Sequence, residues 1–384
     1  MEATIPMASL RRFVRSTIGI AALLLVGTAV QADDKSYPVL VPLTGFLSLE
    51  GTSQRNGALL ALSDTPPNVD VSHEVSDTGT SPEVAVNALE RALADEKAVA
   101  IAASMLGTQM LAMIPVADDY GVPLITVSGT AKITELGSRW VYRFFPGDAV
   151  TKVAHVDYAV NVLGKRRAAV VYQTSAYGQS GHRHIVDNLT RLGLTPVLEE
   201  GLDTGIKDMT PVLAKIRRAD ADILLIHLHA PSTALIIKAA AEAKLGLPIV
   251  AGSAMHQPAT AALLAPGELE DVCAESASSP VSGGSAALES WLAAYRKVYG
   301  TEPDAFALGQ YDGVKMTLSA MADGAGTPAA IADWLSQNRY DGLAMTYRSD
   351  GKGNMAHSAV IVCYDGTSRV PRIVKRYDNI TGVL

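Results

Sequence analysis

Short apolar runs alternate with longer stretches in which apolar residues recur at helical spacing along almost the whole chain. The runs Tyr37–Pro42, Val71–Ser76, Val99–Ala102, Leu124–Val127, Ala168–Tyr172, Ile223–Leu228 and Pro248–Ala251 have the length and character of buried strands. Helical patterns lie between them, as at Ser81–Leu93, where Ser81 stands at the N-cap and Pro82 at the first helical position. Strands separated by helices of this length pair as parallel strands joined by right-handed crossovers, which predicts an α/β fold. Two such sheets fit the length.

The first residues break the pattern. Arg11, Arg12 and Arg15 precede an apolar run from Ile18 to Val30, and Val30-Gln31-Ala32 supplies small residues before Asp33. This predicts a secretory signal peptide over residues 1–32 and an exported mature chain. No cysteine sits near the cleavage point for lipid attachment, and no later apolar run is long enough to span a bilayer, so no direct membrane insertion is expected after signal removal. The remaining 352 residues are enough for two domains. Removing three Arg and one Glu takes the net charge from −7 to −9. An acidic chain without basic runs argues against nucleic acid and anionic membrane as partners.

Three places read as crossings between lobes: "YRFFPGDAVT" at 142–151, the Ser/Gly-rich "ESASSPVSGGS" at 275–285, and the break in helical pattern near Tyr340–Thr346. They predict an N-terminal lobe of residues 33–145 plus 278–340 and a C-terminal lobe of residues 146–277 plus 341–384. Asp350-Gly351 and Asp365-Gly366 turns between strand-like runs predict hairpins near the C-terminus.

The chain lacks the usual catalytic signatures. It has no G-x-G-x-x-G after a strand, no phosphate loop at Gly164-Lys165, and the wrong spacing for a nucleophile elbow in "YGQSGH". His227 and His229, two apart at a strand end, share a face, whereas His182 and His184 on a helix do not. A pair of histidines without a third ligand is too few for a metal site, so neither metal nor cofactor is expected. Cys273 and Cys363 lie in strand-like stretches; in an oxidising compartment they form a disulfide or remain two buried thiols. Ser128, Gly129 and Thr130 end a strand in a hydroxyl-rich turn that either caps a helix or holds an anion. Gly107, Thr108, Tyr177, His229 and Met255 follow strands in the same way. Loops at the carboxyl edge of parallel sheets predict a ligand cleft.

Seven stretches together carry a resemblance over nearly the whole mature chain. They are "PLTGFLSLEGTSQRNGALLAL", "DTGTSPEVAVNALERAL", "IPVADDYGVPLITVSGTAKIT", "YRFFPGD", "VVYQTSAYGQSG", "KDMTPVLAKIRRADADILLI" and "GQYDGVKMTL". In their order and spacing the chain resembles the periplasmic solute-binding proteins of the leucine/isoleucine/valine-binding type, which serve ABC importers. The resemblance implies two α/β lobes joined by a three-strand hinge that close on a small-molecule ligand, a periplasmic location and an inner-membrane ABC permease as partner. It places Ser128–Thr130 as the grip on a ligand carboxylate and keeps the second-lobe tyrosine as Tyr177. A first-lobe serine falls on Gly107, beside Thr108; a second-lobe aromatic falls on His229; and an aromatic at the entrance falls on Glu50.

The acidic residue that receives the ligand ammonium in that family falls on Ala254 or Met255, so this amine site is lost. Glu50 either turns inward to replace it or is a solvated surface charge. Gln310 and Tyr311 either line the first-lobe side of the cleft or pack in the core. The expected ligand is a carboxylate, as an amino acid or a related organic acid or amide. A ligand sensor feeding a regulator fits the same fold, and a metal-dependent hydrolase built on His227 and His229 is the competing enzyme reading.

Overall fold

The computed structural model describes residues 35–280 and 284–381; the expected signal peptide lies outside them. Five parallel strands form the first sheet: β1 (Val39–Val41), β2 (Val75–Asp77), β3 (Ile101–Ala102), β4 (Leu124–Thr126) and β5 (Val141–Arg143), in the order β2-β1-β3-β4-β5. Helices α1 (Ser48–Leu62), α2 (Pro82–Leu93), α3 (Gly107–Tyr120) and the single turn α4 (Lys132–Glu135) connect them. Side chains alternate across the sheet as the strand period requires. Val39 and Val41 enter one apolar cluster with Ile125 and Phe144, and Leu40 enters another with Ile101 and Leu124.

The second lobe opens with α5 (Asp148–Asp157), followed by β6 (Ala168–Gln173), α6 (Ala176–Arg191), β7 (Leu198–Leu202), α7 (Thr210–Arg218), β8 (Ile223–His227) and α8 (Ala230–Glu242). After these come β9 (Ile249–Ala251), the short α9 (Pro258–Ala261) and β10 (Val272–Ser276). The chain then returns to the first lobe as α10 (Ala286–Tyr299), α11 (Ala305–Ala322) and α12 (Pro328–Gln337), with a hairpin of β11 (Arg339–Asp341) and β12 (Thr346–Arg348). The last strands, β13 (Ala359–Cys363) and β14 (Arg372–Tyr377), complete a seven-stranded sheet ordered β14-β13-β10-β9-β8-β6-β7. Its parallel part ends at β10; β13 and β14 are antiparallel, as the C-terminal turn residues predict.

Two expectations shift in position. The strand predicted at Val71–Ser76 forms at Val75–Asp77, with only Ser72 bridged earlier in the run. The third crossing falls later than Tyr340–Thr346. The Asp312 carboxylate on α11 accepts hydrogen bonds from the Leu343 and Ala344 amides at 2.9 and 2.8 Å and from the Tyr347 hydroxyl at 3.1 Å. These hold the hairpin on the first lobe, whose core includes Tyr347, Met355 and Ala356, while Ala359 already packs in the second.

Cys273 and Cys363 sit opposite each other in the antiparallel β10/β13 pair, with Cα atoms 4.0 Å apart, and form a disulfide. Of the two readings left open by the sequence, the buried thiols are thereby excluded. Among the described residues no helix is long and apolar enough to cross a membrane. The disulfide spans a sequence separation of 90, so the Cys273→Ser/Cys363→Ser double variant is expected to lose about 2–4 kcal/mol of stability, read as a lower urea midpoint.

Candidate functional site

The carboxyl ends of the two sheets face each other across a small cavity. Leu47 and Glu50 (α1), Met105 and Leu106 (before α3), Gly129, Phe145, Pro146 and Phe306 line it from the first lobe and the first crossing. Asp148 and Thr151 (α5), Tyr177 (α6), His229 (before α8), Ser253 and Ala254 line it from the second. Contacts bridge the lobes: the Ala131 amide donates to Ser180 Oγ at 3.0 Å, the Ala230 amide to Glu50 Oε1 at 3.1 Å, and Gln257 Nε2 to Asp304 Oδ2 at 2.8 Å. The cleft is closed in this structure.

The Ser128-Gly129-Thr130 turn is built by its carbonyl groups. The buried Arg143 guanidinium donates to Thr130 O at 2.8 Å, and the Asp148 amide donates to Gly129 O at 2.8 Å. Ser128 and Thr130 are buried, yet Ser128 Oγ and Thr130 Oγ1 have no hydrogen-bond partner. They cap no helix, which removes the capping alternative. The four-residue α4 that follows them is too short to present an N-terminus. Instead, Thr130 packs against the first residue of the 14-residue α3, whose N-terminus no side chain caps. Unpaired backbone N–H groups and a positive dipole end there favour an anion.

The same packing explains Gly107. A Cβ at this position would collide with Thr130 Oγ1, so the Thr130 hydroxyl takes the space a serine side chain would fill. Gly107 and Thr108 themselves form the first turn of α3 behind Leu106, outside the cavity lining.

Tyr177 and His229 stand where the strand ends place them. The His227 and His229 rings both lie against Tyr177, with centroids 3.9 and 5.2 Å away, as a two-residue spacing on one face requires. His229 Nε2 is 3.0 Å from Ser175 Oγ, and burial holds its pKa down to about 4, so it is a neutral wall. His227 is buried beneath, also held neutral by burial and by the nearby Lys152 charge. Among the described residues no group of three or more His, Cys, Asp or Glu side chains could hold a metal.

Of the expected cleft residues, Gly129, Tyr177, His229 and Glu50 line the cavity, Ser128 and Thr130 flank Gly129 behind the lining, and Met255 and Tyr311 lie elsewhere altogether. Met255 is fully buried in the second-lobe core, because the tight turn Ser253–His256 points Ser253 and Ala254 at the cavity and Met255 away from it. Tyr311 packs edge-on against Trp291, centroids 5.6 Å apart, on another face of the first lobe. Its neighbour Gln310 turns inward to Gln54.

Glu50 is 2 % exposed, which excludes the solvated surface charge. Its Oε1 accepts from Ala230, its Oε2 has no partner, and burial pushes its pKa from an ordinary 4.5 to about 7. The reading of the sequence missed Asp148. It stands at the start of α5 with Oδ2 unpartnered and is raised by burial to about 7 against the pull of Lys152. Its signal was the Pro-Gly-Asp string where a strand end meets a helix start. Behind it lies a buried polar group: Lys152 is paired with Glu275, His155 Nδ1 lies 2.8 Å from Glu275 Oε2, and His227 Nε2 lies 3.4 Å from Asp148 Oδ1.

Comparison with known proteins agrees with this architecture. A family model described as "Periplasmic binding protein" matches residues 38–367. An "Amino acid binding protein" of Pseudomonas aeruginosa is 26 % identical over 367 residues, covering 92 % of this chain and 96 % of that one. A "Leu/Ile/Val-binding protein homolog 8" of Brucella abortus is 25 % identical over 334 residues, 82 % and 83 % of the two chains. Among solved structures, the leucine-binding protein LivK of Thermotoga maritima superposes with a TM-score of 0.82 at 22 % identity, covering 90 % of this chain and 99 % of that one. A Rhodopseudomonas palustris solute-binding protein in complex with benzoate gives 0.81 at 15 % identity, covering 90 % and 97 %. The relatives are binding proteins, not enzymes, and the hydrolase reading of His227 and His229 falls with them.

An acid whose pKa is higher folded than unfolded binds more protons when folded, so stability falls as pH climbs from about 4.5 to about 7, and above that the full penalty remains without growing. For protein that unfolds from this closed form, Glu50→Gln is therefore expected to raise stability at pH 8, by at most about 3 kcal/mol at 1.36 kcal/mol per pKa unit. The gain should vanish near pH 4.5, and urea melts across this range measure it.

Proposed function

Because the chain belongs to the family of periplasmic binding proteins, we propose that it is the periplasmic substrate-binding component of an ABC importer. It takes a small carboxylate-bearing ligand, an amino acid or a related organic acid or amide, between its lobes. It then presents the closed form to an inner-membrane permease. The observation that carries this reading is the pair of buried, unpartnered hydroxyls of Ser128 and Thr130 beside the uncapped N-terminus of α3. Burying hydroxyls without partners is unfavourable unless something else supplies them. A ligand carboxylate fits both, because it accepts from the hydroxyls and from the helix N–H groups and complements the dipole.

The known ligands of similar proteins are consistent with this choice. One neighbouring structure is a complex with isoleucine and others with benzoate or 3,4-dihydroxybenzoic acid, and all three ligands carry a carboxylate. The remaining lining supplies an apolar wall from Leu47, Met105, Leu106, Phe145 and Phe306, with the last two rings stacked 4.7 Å apart. Closure buries the ligand, and its contacts with the second lobe, made only in the closed state, drive the equilibrium toward that state.

A charge-assisted hydrogen bond is worth about 1.5–3 kcal/mol. The Ser128→Ala/Thr130→Ala double variant is expected to bind its carboxylate ligand at least roughly tenfold more weakly by calorimetry. The melting temperature of the ligand-free variant should stay near that of the parent, since removing an unpartnered buried hydroxyl leaves no orphan behind. Unchanged ligand affinity in this variant would refute the clamp.

A further inference from the structure

The cavity has two carboxylates, and their surroundings differ. Asp148 belongs to a group that already contains cations: the Lys152 and Arg143 charges both act on it. Glu50 has no Lys, Arg or His within ion-pair distance among the described residues, and the one charge acting on it is the like charge of Asp304. Its Oε2 is buried, unpartnered and part of a residue that lines the cavity. An ionised carboxylate in this position needs a cation, and the ligand is the one component able to bring it.

The other oxygen of the same carboxylate is engaged across the cleft. Glu50 Oε1 takes the amide of Ala230, the first residue of the 13-residue α8 in the second lobe. His229, the N-cap of that helix, offers no side-chain cap. Glu50 therefore caps a helix of the opposite lobe, and only when the lobes are together. A charged carboxylate is a much better partner for a helix N-terminus than a neutral acid.

We propose that Glu50 determines specificity for ligands that carry an ammonium group, accepting it on Oε2 while Oε1 latches α8 of the second lobe. The inference rests on the reading of the cavity as a carboxylate site. Both charged ends of the ligand are then held by the first lobe, the carboxylate at Ser128–Thr130 and the ammonium at Glu50. Ser253 and Ala254 of the second lobe contribute no charge. An ammonium keeps Glu50 ionised as the cleft closes, and the ionised Glu50 holds α8. An amine-free acid leaves Glu50 to be buried with a proton, and the latch is weak. Discrimination is thus exerted through closure as well as through the contact itself.

The test uses protein unfolded and refolded to strip bound ligand, with leucine and phenylalanine set against their amine-free counterparts 4-methylpentanoate and 3-phenylpropanoate. Affinity is read by calorimetry and closure by small-angle scattering. In the parent protein at least one amino acid is expected to bind ten times or more tightly than its counterpart. Glu50→Gln keeps an oxygen for Ala230 but removes the charge, and should erase that preference by weakening the amino acid tenfold or more. Ala230→Pro removes the latch donor at a first-turn position that suits proline, after a residue with ψ of 161°. It should keep the preference while reducing ligand-induced compaction. Equal or tighter binding of the amine-free acids, or a preference that survives Glu50→Gln, overturns the role of Glu50 and leaves the carboxylate clamp standing. Binding of neither class overturns the clamp, and the role of Glu50 with it.

Discussion

The guanidinium of Arg143 is the point on which both the crossings between lobes and the Ser128–Thr130 turn depend. Arg143 is the last residue of β5, where the chain leaves the first sheet for the second lobe, and it is 2 % exposed. Its backbone pairs with the third crossing: its amide donates to Gly353 O at 2.8 Å, and its carbonyl accepts from Met355 at 3.1 Å. Its side chain binds Thr130 O, Thr134 Oγ1 at 3.1 Å and the Asn354 amide oxygen. One buried cation therefore ties two of the crossing segments to the Ser128–Thr130 turn beside the cavity. Burial lowers its pKa to about 10, which leaves it charged at neutral pH. Removing a group with this many neutral acceptors would leave several carbonyl and amide oxygens buried and unpaired, a heavier penalty than the loss of any one bond.

Polarity in the cleft is supported differently in the two lobes. The second lobe keeps its charges to itself: Lys152, Glu275, His155 and Asp148 form an internally compensated group beneath the cavity, and the net pull on Glu275 is downward, although burial alone would raise it, because Lys152 and His155 outweigh burial. Such a buried group is held by its mutual geometry, and it gives the Tyr177 and His227 stack a rigid base. Toward the cavity, both lobes leave a carboxylate oxygen without a partner, Glu50 Oε2 on the first and Asp148 Oδ2 on the second, and the first adds the Ser128 and Thr130 hydroxyls beside it. Polar groups held from behind and unsatisfied toward the cavity are the arrangement expected of a site preorganised to be completed from outside.

The repeating strands and helices were legible because alternation and helical spacing are local properties, and β6, β8 and α2 lie almost where the pattern puts them. What was not legible depends on partners far away in the chain. The inward turn of Glu50 is set by Ala230, 180 residues later, and the placing of the β11/β12 hairpin on the first lobe by Asp312, some thirty residues earlier. Met255 and Tyr311 failed for a different reason. Each sits one residue from a position that faces inward to polar partners or cavity, and in a helical turn one residue is a rotation of about 100°. The disulfide was half legible: two cysteines in strand-like stretches are visible, but their opposition in register is a property of the sheet.

The interleaving of the two lobes also fixes the order in which the molecule can become complete. The first lobe takes its core from residues as far apart as Tyr37 and Ala356, and the second from Ala154 to Tyr377. One cluster of the first lobe is drawn wholly from Leu40 to Val141, but neither half has its full core while the carboxyl-terminal tenth of the chain is still missing. During synthesis the chain therefore carries incompletely covered apolar segments until late. Late completion of both cores is built into the connectivity, because the last strands and the third crossing belong to the lobes begun by the first ones.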